Sequence, residues 1–286
     1  MTIIAGFRVQ DGILLCSDTE WSGAGKIYQQ KIFSHFFRGG AIAFAVAGNE
    51  ANARMVIEDC QYAIDPGRKR AYAPQELTAI VRAAVLAIQE KYVDKRPAAE
   101  KEKAWFELII AFALKSGHRQ LLASRAPSVL PVDRFATHGA GWEVARPIID
   151  SAYDPNMRIK DAVIVAIQAM GAAKRQVEGV GGQSQFLVMG DQLPEPNTHG
   201  TGKREQFISS LVGHDPGETE RLILQYEQAA GRLLLRAGDF DLDSAAFKEK
   251  VLNFGQLVIN LRAQWAATAA PYRELIEGLT KPSSNC

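Results

Sequence analysis

The sequence predicts an antiparallel α+β fold built in layers, and three observations predict it. Strand-like apolar runs occur in groups spaced like hairpins. Helical stretches come in pairs between those groups rather than one after each strand. The order along the chain is therefore strands, two helices, strands, two helices and a final strand. A helix after every strand would indicate a doubly wound parallel sheet. Paired helices between sets of hairpins suit antiparallel sheets with helices laid over their faces. With 286 residues, 47% hydrophobic and 23% charged, the chain is ordinary for a globular protein and ample for a large core.

The elements follow in order. Residues 2–9 and 13–18 are apolar runs on either side of the turn dipeptide Asp11-Gly12, so they read as a β-hairpin. Residues 20–26 read as a loop with Gly23 and Gly25. Lys31-Ile32-Phe33 begins a strand, Gly39-Gly40 turns, and residues 41–47 form the next strand, stopped by Gly48-Asn49. The spacing of Ala53, Met55, Val56, Cys60 and Ala63 predicts a helix over residues 50–63, ended by Asp65-Pro66-Gly67. A second helix is expected over residues 74–93, with Pro74 in the first turn, where its missing N–H costs nothing. Lys101-Glu102-Lys103 reads as a solvated loop. Residues 104–114 and 119–125 read as a strand pair, and residues 129–137 as a further strand. Gly139-Ala140-Gly141 breaks the chain before helices over residues 142–151 and 159–177. Gly181-Gly182 then leads to a last strand over residues 184–189.

Composition changes after residue 190. Leu193-Pro194-Glu195-Pro196 opens a linker, and two helices are expected beyond it. Asp215 caps the first, with Pro216 next to it; Asp243 or Ser244 caps the second, which stops at Pro271. The chain thus divides into a main domain over residues 1–190 and a linker with a helical hairpin over residues 191–286. Such a hairpin would pack on the main domain or on a neighbouring subunit.

Charge and composition exclude several classes. A net charge of +1 gives no electrostatic basis for binding nucleic acid or an anionic membrane. The longest apolar runs, residues 41–47 and 108–114, are far shorter than the roughly 20 residues a membrane helix needs. Arg8 and Asp11 interrupt the first apolar stretch, which also lacks a basic start, so it is no signal peptide. The 3 cysteines, Cys16, Cys60 and Cys286, are widely spaced, and the first two fall in predicted buried elements. They read as core thiols of a cytoplasmic protein with no disulfide framework. The 5 histidines show no ligand spacing, and no metal or other cofactor is expected. His138, beside Gly139, reads as structural. Gly200-Thr201-Gly202-Lys203 lacks the spacing of a phosphate loop, and Asp239, Asp241 and Asp243 lack the glycine and closing glutamate of a calcium loop.

Thr2 is the residue with chemical promise. Removing Met1 would leave a threonine whose hydroxyl and free α-amine belong to one residue at the start of a rigid strand. Nucleophile and base would then travel together.

At this point residues 2–190 resemble a proteasome β-type subunit, with the N-terminal-nucleophile hydrolase fold. The segments that carry the resemblance come in the right order. They are Thr2, then Asp11-Gly12-Ile13-Leu14-Leu15, then Asp18-Thr19, Lys31-Ile32-Phe33 and Ala45-Val46-Ala47-Gly48-Asn49. Gly139-Ala140-Gly141 follows, with Ile149-Asp150-Ser151-Ala152-Tyr153 and Met157, and finally Gly181-Gly182. The resemblance implies a four-layer αββα sandwich with the C-terminal helices as an extension.

The resemblance also implies roles. Thr2 Oγ would attack a peptide carbonyl while its own α-amine, with an ordinary pKa near ~8, takes the proton. Lys31 would place a cation beside Thr2, and Asp18 would orient Lys31. The Gly48 N–H would serve as an oxyanion-hole donor. Ser22 would bind substrate through its backbone as an added strand, and Val46 would shape a medium, apolar specificity pocket. The implied substrate is a peptide or unfolded protein. The implied assembly is a homo-oligomeric ring or helical array, with an ATPase unfoldase as a partner. Only Met1 precedes Thr2 here, so methionine removal is expected to expose it, as in the simpler bacterial proteasome-like peptidases.

The chain departs from the family pattern in several places. Ala140 stands where members have a serine. Val177 and Val180 stand where members have an aspartate and a second serine, with Glu178 one step away. Glu20 stands where a basic residue is typical. Two other readings therefore stay open: a catalytically inactive structural subunit, and an amidase of the same fold acting on a small molecule.

Overall fold

The computed structural model describes residues 2–22, 26–64, 71–125 and 127–190, together with Gln256. The linker and helical hairpin expected over residues 191–286 lie, Gln256 apart, outside the described residues, as does Asp65-Pro66-Gly67.

Two antiparallel sheets face each other. The first takes the order β10-β1-β2-β11, from β1 (Ile4–Val9), β2 (Gly12–Asp18), β10 (Phe135–His138) and β11 (Ser184–Gly190). The second takes the order β5-β6-β7-β8-β9, from β5 (Ile32–Phe37), β6 (Gly40–Gly48), β7 (Phe106–Leu114), β8 (Arg119–Arg125) and β9 (Ser128–Val132). Helices α4 (Trp142–Ala152) and α5 (Ile159–Gln176) cover the first sheet. Helices α1 (Glu50–Ala63) and α2 (Pro74–Ile88) cover the second. The result is the expected αββα sandwich.

The alternation of side chains explains why both sheets can be buried on both faces. Along β1, Ala5, Phe7 and Val9 turn to the α4/α5 layer and Ile4 to the other sheet. Along β6, Ile42, Phe44 and Val46 turn to α1 and α2, while Ala41, Ala43, Ala45 and Ala47 face the first sheet. On β6, small residues therefore face the other sheet and large ones face the helices. The sheets come so close that a Cβ on Gly6 would stand 2.6 Å from Ile109 Cγ2. Two-sided burial also explains the near-continuous apolar runs in the sequence, which carry little alternation to read.

Local chemistry fixes the ends. Asn49 accepts the Asn52 N–H at 3.0 Å and caps α1. The Glu76 carboxylate accepts the Ala73 N–H at 2.8 Å ahead of Pro74. Asp11 reaches from the first hairpin to the N-terminus of α5, where it accepts the Ile159 N–H at 2.8 Å.

Several expectations need correction. The hairpin turn is Gln10-Asp11, with Gly12 already in β2, where β11 passes too close for any Cβ. The loop over residues 20–26 contains a small hairpin, β3 (Glu20–Ser22) with β4 (Lys26–Tyr28). The second helix stops at Ile88 and continues as a π-helical turn, Gln89–Val93, because the Asp94 N–H bonds the Gln89 carbonyl at 3.0 Å. Lys101-Glu102-Lys103 lies in a short helix, α3 (Ala98–Ala104). Residues 129–137 are not one strand. The chain leaves the second sheet after Val132 and joins the first at Phe135, so Asp133-Arg134 is the crossing between layers.

Candidate active site

Thr2 sits at the foot of β1, next to the end of β2, and is only 3% exposed. Its carbonyl accepts the Gly141 N–H at 3.1 Å. Its hydroxyl donates to Asp18 Oδ1 at 2.5 Å. Asp18 ends β2 and is fully buried. Backbone donors fix its carboxylate: Ile3 N–H at 3.0 Å on Oδ1, and Glu20 N–H at 3.2 Å and Gly181 N–H at 3.1 Å on Oδ2. A buried carboxylate is tolerated only when its lone pairs are met in this way.

Lys31 precedes β5, and its side chain is 0% exposed. Its ammonium donates to Asp18 Oδ1 at 2.7 Å, to the Glu20 carbonyl at 2.5 Å and to Thr2 Oγ1. The Trp21 ring lies 4.9 Å from Nζ and closes one side. Burial pushes the Lys31 pKa below its ordinary value, and Asp18, then Glu20 and Glu50, oppose that shift. Its backbone is held on both sides. The Lys31 N–H donates to Gln185 Oε1 at 2.8 Å, and the Lys31 carbonyl accepts the Val46 N–H at 3.0 Å. The three residues picked from the sequence, Thr2, Asp18 and Lys31, thus converge on one hydroxyl. The ammonium favours negative charge on this hydroxyl, the carboxylate orients it, and a free α-amine on the same residue would supply the base.

Gly48 ends β6, is exposed, and has φ +81°. A Cβ there would collide with the Trp105 carbonyl oxygen, so the backbone needs glycine on structural grounds alone. Ser22 is the last residue of β3 and pairs with Lys26. Val46 is 0% exposed and packs in the layer beneath α1 and α2, with Trp21 and Phe33 at its margin. Ala140 is exposed, Val177 is the residue just after α5, and Val180 is buried in the α4/α5 layer. Glu178 is exposed and does not take over a buried carboxylate's place.

A profile described as "Proteasome subunit" matches residues 2–189. The chain belongs to the proteasome subunit family. Similar solved structures agree on the fold. Anbu (ancestral beta-subunit) from Yersinia bercovieri superposes with a TM-score of 0.56 at 15% identity, over 66% of this chain and 82% of that one. The helical assembly of the Anbu complex from Pseudomonas aeruginosa gives 0.62 at 16% identity, over 86% and 99%. An Anbu (Gly-1) mutant from Hyphomicrobium sp. strain MC1 gives 0.57 at 16%, over 68% and 84%. No curated protein matches the sequence.

Gln185 and the Glu20 backbone also build this site. Gln185 accepts from both the Lys31 N–H and the Ser17 hydroxyl, the latter at 3.3 Å. Glu20 works through its backbone, which serves Asp18 and Lys31 at once. A polar cleft of about 510 Å³ opens beside them, lined by Thr19, Tyr28, Gln29, Gln30, Gly182, Gln183 and Gln185. Among the described residues, no group of histidine, cysteine and carboxylate side chains is arranged to hold a metal, and no helix is long and apolar enough to cross a membrane.

Proposed function

We propose that this chain is a threonine-type hydrolase that cleaves peptide bonds with Thr2 as nucleophile. The observation that supports it most is the meeting of the Lys31 ammonium and the Asp18 carboxylate at the Thr2 hydroxyl. In the chain as written, Thr2 nitrogen is an amide and holds no base. Removal of Met1 turns it into an amine that takes the hydroxyl proton as Oγ attacks the carbonyl. Lys31 stabilises the charge that develops on Oγ, and Asp18 keeps Lys31 in place. The Gly48 N–H receives the oxyanion; one such donor contributes roughly 2.7–4 kcal/mol in other hydrolases. The departing amine collects the proton from the α-amine, and water then releases the acyl group by the same route in reverse.

In this reading Ser22 binds the peptide as an added strand and Val46 backs an apolar pocket for the residue before the scissile bond. The subunits form a homo-oligomer, in keeping with the helical assembly of the Pseudomonas aeruginosa relative, and an ATPase unfoldase delivers unfolded chains. The protein works in the cytoplasm, over residues 1–190, with residues 191–286 as a helical extension.

Two measurements test the mechanism. Intact mass of an active preparation is expected to show Met1 removed; its retention overturns the mechanism. Thr2→Ala is expected to abolish turnover of a fluorogenic peptide while assembly persists. Ala140, Val177 and Val180 favour the second reading, a structural subunit, and wild-type protein that loses Met1 yet turns over neither peptides nor small amides would support it.

A further inference from the structure

We propose that Glu107 is a positioning residue for Thr2, acting from the opposite sheet through the Gly139–Gly141 turn. The inference rests on Thr2 as the nucleophile. Glu107 interrupts the apolar strand β7, and the alternation of that strand places it on the inter-sheet face with Ile109, Ala111 and Ala113. Its side chain is 15% exposed. A carboxylate in such a layer needs a donor.

The donor is the turn that grips Thr2. Glu107 Oε2 accepts the Gly139 N–H at 2.9 Å. Its other oxygen is steered by Arg125 Nε at 3.6 Å and His138 Nδ1 at 3.8 Å. Two residues on, the Gly141 N–H holds the Thr2 carbonyl. The contact has no slack. A Cβ built on Gly139 would lie 2.5 Å from the Thr2 carbonyl oxygen and 2.9 Å from Thr2 Cγ2. Gly139 also sits at φ +81°, a conformation open to glycine and strained for a residue with a Cβ. Ala140 offers the turn no side-chain hydroxyl, so the anchor comes from β7. In the same register Glu107 faces Ala47, one residue before Gly48. One carboxylate therefore braces the turn behind the nucleophile from the strand beside the proposed oxyanion donor.

The test compares Glu107→Ala with Glu107→Gln in the full chain. The glutamine oxygen still accepts the Gly139 N–H; alanine does not. Glu107→Ala is expected to lower kcat by on the order of 10-fold to 100-fold, the scale set by a displacement of about 1 Å at a reacting group. KM should stay within about twofold, because uniform binding is untouched. Glu107→Gln should recover most of kcat. Amide hydrogen exchange over residues 137–145, followed by mass spectrometry, should quicken in the alanine variant and return in the glutamine variant. That readout needs no turnover, so it still decides the positioning role if the wild-type protein hydrolyses nothing. Wild-type exchange in Glu107→Ala overturns the proposal. Equal losses in both variants overturn it too, since they would assign the effect to charge. Should the alanine variant fail to fold, Glu107→Leu fills the volume without an acceptor and replaces it.

Discussion

Asp18 and Glu107 are both carboxylates set into apolar layers, and they are held in opposite ways. Asp18 is fully buried and saturated, with three backbone N–H groups, the Thr2 hydroxyl and the Lys31 ammonium around it. Glu107 keeps some exposure, makes one good hydrogen bond, and meets the Arg125 guanidinium only at 3.6 Å and the His138 imidazole at 3.8 Å. The first arrangement keeps a charge in place where chemistry would use it. The second sets a turn and leaves its charge loosely compensated. Removing charge at the first group should therefore be severe, and at the second mild so long as an acceptor remains.

The largest effect should follow Lys31→Met. It leaves the Asp18 charge buried without its cation, a loss of about 3–5 kcal/mol when one partner of a buried pair goes. The three N–H donors that remain place the expected value near the lower end. Denaturant unfolding measures it, and the double variant with Asp18→Asn should recover part of the loss. Additive losses would show that the pair is not coupled as the geometry requires. Turnover should vanish in both variants.

The turn should be sensitive to volume before charge. Gly139→Ala places a methyl 2.5 Å from the Thr2 carbonyl oxygen and at φ +81°. A fall in turnover on the order of 10² is expected, with about 1–2 kcal/mol of backbone strain. Gly117 is the control. It has a similar φ, +83°, with nothing within 4 Å of the added methyl. Gly117→Ala should lose stability by the same strain and keep its turnover. If the two variants lose turnover alike, the Gly139 turn has no special hold on Thr2.

The contrast between the two carboxylates also separates what a sequence reveals from what it conceals. Asp18 and Lys31 were legible because they belong to an ordered set of family segments around Thr2. The longer strands and the four longer helices were legible because apolar spacing and breakers such as Pro74 and Gly48-Asn49 mark them. Glu107 was not, although a lone carboxylate in the run 106–114 is a signal that burial needs a partner. Its partner is a backbone N–H 32 residues away, and no side-chain pattern encodes that. Gln185 stayed hidden for the same reason. The crossing at Asp133-Arg134 was missed because a strand that changes sheet keeps its apolar character on both sides. Glu178 lies one step from the family's aspartate position in the sequence, and in the fold it is exposed.

The smallest effect, and the finest probe of the loosely held group, is the titration of His138. Burial pushes its pKa below the ordinary 6.5; Glu107 opposes that shift and Arg125 adds to it. The folded state therefore binds a proton less readily than the unfolded chain. Stability from this group is fully present above about 6.5 and is lost as pH falls from there through the lowered folded value. Denaturant unfolding at a series of pH values should show this acid-side slope, and His138→Gln should flatten it. In Glu107→Gln the carboxylate that favours the protonated ring is gone while Arg125 remains. The His138 pKa should then fall further and the slope should extend to lower pH. A slope unchanged in Glu107→Gln would mean that the 3.8 Å approach of the imidazole carries no charge coupling, and that Glu107 acts on the turn through its hydrogen bond alone.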